Sequence, residues 1–197
     1  MKLPNLKTLI ADDEAALLRI LVSNLETLGL TVIGQAKDGV EAIALARSSR
    51  PDLIILDLKM PKLDGFQVAK EILSERFLPI IFLTAYVEPE YMEKATELGV
   101  MGYLLKPFNT KTLYATISVA LSQYHQLCLL QEEVGSLREA IEARKLVERA
   151  KGILMEKFGL TEAKAMSRLR EESRNRNIKM VEVARAVILV EDLGRNR

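Results

Sequence analysis

Four short apolar runs each end in a polar residue able to do chemistry. Leu9-Ile10-Ala11 runs into Asp12-Asp13, Leu53-Ile54-Ile55-Leu56 into Asp57, Ile80-Ile81-Phe82-Leu83 into Thr84, and Tyr103-Leu104-Leu105 into Lys106. Read as strands of one parallel sheet, their carboxyl ends line a single crevice, where such sheets bind ligands. That crevice gathers three carboxylates, a hydroxyl and an ammonium. Asp12, Asp13 and Asp57 would repel one another there unless a cation neutralised them, and oxygen-only ligands suit a hard octahedral ion, Mg2+. Asp57 can then attack a phosphoryl group as a carboxylate nucleophile, with Thr84 and Lys106 stabilising the phosphoryl oxygens. Each residue alone has a plainer use: Asp13 can cap a helix beginning near Glu14, and a lysine before a proline is commonplace. The coincidence of all five at one edge is the specific feature.

The elements that must position them follow from a repeated change of apolar period. The runs above, with Thr31-Val32-Ile33-Gly34 as a weaker fifth, have the look of strands buried on both faces. Between them lie helix-length stretches with apolar residues three or four apart: Leu17, Ile20, Leu21, Leu25 and Leu28; Val40, Ile43 and Leu45; Val68, Ile72 and Leu73; Met92, Ala95 and Leu98. Gly29 and Gly99 follow two of these stretches, where a left-handed helix end is expected. Strand alternating with helix implies a doubly wound α/β layer with a five-stranded parallel sheet.

These residues resemble the receiver family of response regulators, the phosphoacceptor half of two-component signalling. The resemblance covers about residues 5–122. It is carried by Asp12-Asp13-Glu14, Asp57-Leu58-Lys59-Met60-Pro61 with Asp64-Gly65, Thr84-Ala85 and Lys106-Pro107-Phe108. It implies a flavodoxin-like fold with Asp57 as phosphoacceptor. Mg2+ would be held by Asp13, Asp57 and the backbone carbonyl of Lys59, with Asp12 acting nearby. Thr84 is the implied switch hydroxyl, Tyr103 the aromatic that swings inward with it, and Lys106–Pro107 a cis peptide. Lys59 and Tyr86, both bulky, fall where the family controls access of hydrolytic water. A sensor histidine kinase is the implied phosphoryl donor. The domain is expected to promote its own phosphorylation and dephosphorylation rather than to act as an enzyme.

Composition sets the wider frame. A chain of 197 residues, 49% hydrophobic and 28% charged, suits a globular protein of one large or two small domains. The lone Cys128 excludes an intrachain disulfide. The N-terminus carries no signal-peptide core, and no apolar run nears the ~18 residues of a membrane span, so the expectation is a cytoplasmic protein without membrane contact. Net charge is +1, but residues 144–179 hold 11 Lys+Arg against 5 Asp+Glu. Such a patch attracts polyanions, although solubility alone can explain it.

The remaining chain reads as helix. Beyond Thr110, apolar residues recur at Leu113, Ile117, Ala120, Tyr124, Leu127, Leu130, Val134, Leu137 and Ile141, a coiled-coil seam with one skipped step at Leu127–Leu130. Intramolecular packing accounts for the pattern equally well, and Gly135 is a place where the helix could break. Further on, Gly159 ends one helix, Thr161 caps another, and a third follows Asn175-Arg176-Asn177. The boundaries expected are a receiver at 1–122, a helical connector at 123–143 and a three-helix bundle at 144–197.

The bundle is similar to the ANTAR domain, an RNA-binding antiterminator module, over about residues 137–192. Ala150-Lys151-Gly152-Ile153-Leu154-Met155 carries the likeness, with Gly159, Thr161-Glu162-Ala163, Ala165, Leu169-Arg170 and Val183-Ala184. Met166 stands where an aromatic is usual, and Ser173-Arg174 departs from a small-residue-plus-Met pair. The resemblance implies binding of paired leader-transcript hairpins, which blocks a terminator hairpin and calls for a homodimer on phosphorylation. Candidate RNA contacts are Arg144, Lys145, Arg149, Lys151, Lys157, Arg168 and Arg170, whose cations can follow an RNA backbone. Lys151 can equally be a solvated helix residue, and Gly152 a site of close helix packing. Three rival readings are a receiver coupled to a DNA-binding helix-turn-helix, an aspartyl-phosphate phosphatase, and a protein-interaction output whose basic face meets an acidic partner. The first lacks a recognition helix with base-reading side chains, and the second has Lys59 where its general acid would stand.

Overall fold

The computed structural model describes residues 3–85 and 89–195. The chain divides into two compact units, Met1–Cys128 and Leu129–Arg197. In the first, β1 (Lys7–Ala11), β2 (Thr31–Ala36), β3 (Leu53–Asp57), β4 (Ile80–Thr84) and β5 (Gly102–Leu105) form one parallel sheet in the order β2-β1-β3-β4-β5. Between the strands come α1 (Ala15–Thr27), α2 (Gly39–Ser49), α3 (Gly65–Glu75) and α4 (Pro89–Glu97), and after them α5 (Thr110–Phe158). This is the doubly wound sheet expected from the apolar runs.

Side chains of a strand alternate between faces, so each central strand feeds two cores. Ile54 and Leu56 of β3 join Leu9, Ala11, Ile80 and Phe82 against α2, α3 and α4. Leu53 and Ile55 join Ile10, Ile81 and Leu83 against α1 and the first turns of α5. Every residue of β3 and β4 is buried, which is why these runs carry no alternation. Edge strand β2 is mostly half-exposed, and its pattern is correspondingly weak.

Local caps fix where the helices start. Asp64 and Gln67 make a reciprocal capping box at α3, the Gln67 N–H donating to Asp64 Oδ1 at 2.8 Å and the Asp64 N–H to Gln67 Oε1 at 3.0 Å. The cap expected from Asp13 is not formed. Glu14 is the N-cap of α1 without a side-chain cap bond, and its N–H donates to Asp12 Oδ1 at 2.9 Å instead. Gly29, Gly99 and Gly159 take positive φ as expected after their helices, and Lys106–Pro107 is cis.

Helix α5 passes Gly135 without the break the sequence allowed. Its apolar seam splits in two. Leu113, Ile117 and Ala120 are fully buried in the sheet's second core. Leu127, Leu130, Val134, Leu137 and Ile141 are 42–56% exposed. In the second unit the end of α5 packs with α6 (Glu162–Arg176) and α7 (Met180–Arg195). Their core is Val147, Ala150, Leu154, Ala165, Leu169, Val183, Ala184 and Ile188. Thr161 caps α6 by accepting the Lys164 N–H, and Asn177 ends it at a left-handed φ of 53°.

Two glycines separate packing from helix propensity. A Cβ at Gly65 would lie 2.4 Å from the Asp57 carbonyl oxygen, whereas one at Gly152 meets nothing within 4 Å. The close-packing use of Gly152 therefore finds no support. Gly65→Ala is expected to destabilise the first unit by about 1–3 kcal/mol. Gly152→Ala should stabilise the second by about 0.5–1 kcal/mol. Urea denaturation of both variants beside the parent checks the opposite signs.

Candidate functional site

The strand ends bring the sequence-predicted cluster together. Asp12 follows β1 and is fully buried, Asp57 closes β3 and is 6% exposed, and Thr84 closes β4 and is fully buried. Lys106 follows β5, tied back by its N–H to the Thr84 carbonyl at 2.8 Å. Its ammonium donates to Asp12 Oδ2 at 2.7 Å and to Asp57 Oδ2 at 3.1 Å. Asp13 is exposed at the rim. Asp12, Asp13 and Asp57 each offer a carboxylate oxygen, and these three oxygens lie within 4.8 Å of one another.

Neighbouring backbone holds Asp57 still. Gly65 packs directly on it, and the Gly65 N–H donates to the Leu58 carbonyl at 2.9 Å. The exposed Lys59 gives its backbone N–H to the Asp57 carboxylate. Tyr103 is half-buried, its ring edge-on to Phe82 at 6.5 Å. Tyr86, expected beside the site, lies outside the described residues. Sequence reasoning missed Lys62, which takes a positive φ of 69° and pairs with Asp38 of the α2 cap at 2.6 Å. Nothing in the residue types marks that contact.

Electrostatics set the protonation states. Burial raises the Asp57 carboxyl above its ordinary value, and the Lys106 charge offsets only part of this. Burial works to lower Lys106, but its bonds and charges with Asp12 and Asp57 prevail and raise it. The cluster thus sets three carboxyl groups against one ammonium. An oxygen-only donor set of this kind fits a divalent cation.

The second unit carries the basic candidates on exposed or partly exposed positions. Arg144, Arg168 and Arg170 are exposed and enter no ion pair among the described residues. Others are engaged: Lys145 with Glu142 at 2.8 Å, Arg149 with Asp192 at 2.8 Å, and Lys157 with the buried Glu191. Lys151 is 12% exposed and bridges Glu148 and Glu162 at 2.5 and 2.7 Å, which raises its ammonium above the usual range. Glu191 was not anticipated. Its only trace in the sequence is an acidic residue three beyond Ile188, on the apolar face of α7.

Because the folded-state pKa of Asp57 is raised, its contribution to stability is fully present below the ordinary value of 3.8 and is lost as pH rises through the folded value. Asp57→Asn is then expected to raise the Tm of the metal-free first unit at pH 7 by roughly 2–4 °C. That advantage should vanish at about pH 3.5. Added Mg2+ should stabilise the parent and not the variant. Calorimetric scans across pH in chelator, then in Mg2+, check all three.

Comparison with known proteins agrees with this geometry. A family model for the response regulator receiver domain matches residues 8–118, and one for the ANTAR domain matches residues 135–188. The transcriptional regulatory protein PdtaR of Mycobacterium tuberculosis is 42% identical over 188 residues, covering 95% of this chain and 91% of that protein. The probable transcriptional regulator ycf27 of Porphyridium aerugineum is 44% identical over 111 residues, 56% of this chain and 46% of its own length. Among solved structures, the chemotaxis protein CheY4 of Vibrio cholerae is similar at 35% identity and a TM-score of 0.55, covering 58% of this chain and 98% of its own. Among the described residues, no helix is long and apolar enough to cross a membrane. On these matches and this fold, the chain belongs to the response regulators that carry a receiver domain followed by an ANTAR domain.

Proposed function

We propose that the protein is an aspartate-phosphorylated regulator whose ANTAR unit binds hairpin RNA and acts in transcription antitermination. The observation that carries this is the Lys106 ammonium bridging Asp12 and Asp57 in a receiver, in a chain that also contains an ANTAR domain. A sensor histidine kinase would supply the phosphoryl group. An Asp57 oxygen attacks phosphorus as the bond to the donor imidazole nitrogen breaks, giving an acyl phosphate on Asp57. Lys106 faces the Asp57 oxygen and would neutralise a phosphoryl oxygen. The Thr84 hydroxyl would bond another, with Tyr103 following it inward. The carboxylates of Asp12, Asp13 and Asp57 and the Lys59 carbonyl would hold Mg2+, which supplies positive charge to the phosphoryl oxygens. No substrate is turned over, so the protein is a switch rather than an enzyme.

On the output side, Arg144, Arg168 and Arg170 are the candidates best placed to meet phosphates, being exposed and outside any ion pair among the described residues. Lys145, Arg149, Lys151 and Lys157 would first have to exchange a carboxylate partner. Two hairpins call for two ANTAR units, and the exposed Leu130, Val134, Leu137 and Ile141 of α5 fit pairing with a second copy. The domain boundaries at 122 and 143 remain part of this reading, as does a cytoplasmic site of action.

An electrophoretic shift of double-hairpin leader RNA tests the output. Beryllofluoride with Mg2+ is expected to tighten binding about tenfold, a coupling of about 1.4 kcal/mol, and Asp57→Ala to remove that gain. Binding indifferent to both would refute phosphorylation control, and equal retention of duplex DNA would favour the helix-turn-helix reading. For assembly, Val134→Lys with Leu137→Lys should leave the beryllofluoride-treated protein monomeric in sedimentation velocity, where the parent dimerises.

A further inference from the structure

Phe158 is the only aromatic residue after Tyr124, and the core of the second unit is complete without it. It stands at the end of α5 with 57% of its surface exposed. The Arg168 guanidinium lies over its ring, 5.3 Å from the centroid, and enters no ion pair among the described residues. Beside the ring opens a concavity of about 560 Å3 with Ile153, Val187 and Val190 in its wall and Lys157 and Arg176 on its rim. That volume is within the roughly 300–1,000 Å3 of small-ligand sites. Met166, where the family resemblance led one to expect an aromatic, is half-buried against the bundle core and offers no ring.

We infer that Phe158, Arg168 and the adjoining concavity form a docking site for one unpaired nucleobase of the bound RNA. The inference rests on the RNA-binding reading above and deepens it. Every base presents a π-face, so an aromatic ring under a guanidinium accepts any of them by stacking and cation–π attraction. The apolar side chains of the concavity offer van der Waals contact to the base, and Lys157 and Arg176 stand nearby, each holding a carboxylate that a phosphate would have to displace. Charge complementarity favours this occupant over an apolar peptide: Lys157 and Arg176 are balanced by Glu191 and Glu172, but Arg168 has no carboxylate partner among the described residues, and a nucleotide brings an anion to it. Glu191 and Glu172, paired with Lys157 and Arg176, keep those cations at the rim.

The test uses the full-length protein in beryllofluoride and Mg2+. Its probe is a pool of hairpin RNAs with one fixed stem and randomised six-nucleotide loops, from which binders are selected. Phe158→Ala is expected to weaken a selected hairpin by roughly fivefold to a hundredfold without changing the slope of affinity against salt. Arg170→Gln should lower that slope by about one. Replacing one loop nucleotide by an abasic residue should cost the parent as much, and Phe158→Ala little more. Phe158→Leu and Arg168→Gln, which spare fold and volume, should each fall between parent and Phe158→Ala, with helical circular dichroism unchanged in all variants. Phe158→Ala binding within twofold of the parent would overturn the base site and leave the RNA reading standing. The same result with a lost dimer in sedimentation would assign the surface to a second copy, also overturning it. A parent that retains no hairpin at all would overturn both.

Discussion

The ammonium of Lys106 between the carboxylates of Asp12 and Asp57 is the contact on which the receiver's arrangement depends. Two acids from neighbouring strands can share a nearly dry crevice only with a cation between them. The cation must therefore come from a strand end on the far side of the sheet. The strand order β2-β1-β3-β4-β5 delivers it, with β3 central and the β5 end folded back onto β4 through the Lys106 N–H. One lysine leaves three carboxyl groups incompletely balanced, and such an oxygen-only cluster suits a divalent cation.

In the second unit the same principle works in the opposite direction. A surplus of basic residues is partly spent on holding helices together. Lys151 is clamped between Glu148 of its own helix and Glu162 at the start of α6, and Lys157 reaches Glu191 of α7. Each pair has one partner largely shielded from solvent, Lys151 in one and Glu191 in the other, and together they decide which cations remain available to a polyanion. The available set is smaller than the charge count and includes Arg144, Arg168 and Arg170.

The receiver was legible because its chemistry sits at the ends of uninterrupted apolar runs, and a run buried on both faces has a single topological use. Asp12, Asp57, Thr84 and Lys106 could be assembled on paper from that rule. What escaped was contact at helix starts: Lys62 with Asp38, or Gly65 against the Asp57 carbonyl, where residue type carries no mark of its partner. The long seam of α5 was legible as apolar periodicity but not as two surfaces, because period alone does not say which side chains a sheet will cover. Glu191 and the Phe158–Arg168 pair escaped because their meaning is set by residues distant in sequence.

Thr84 starts from complete enclosure at the end of β4, behind the strand whose every residue is buried. A hydroxyl in that position cannot swing out to a new partner by a rotamer hop on the nanosecond scale while its surroundings stay fixed. The side chains that enclose it have to give way with it, and collective rearrangement of packed groups runs on microseconds to milliseconds. On the proposed reading, the clock of the relay is then set by the enclosure of one small side chain rather than by bond making at the neighbouring acid.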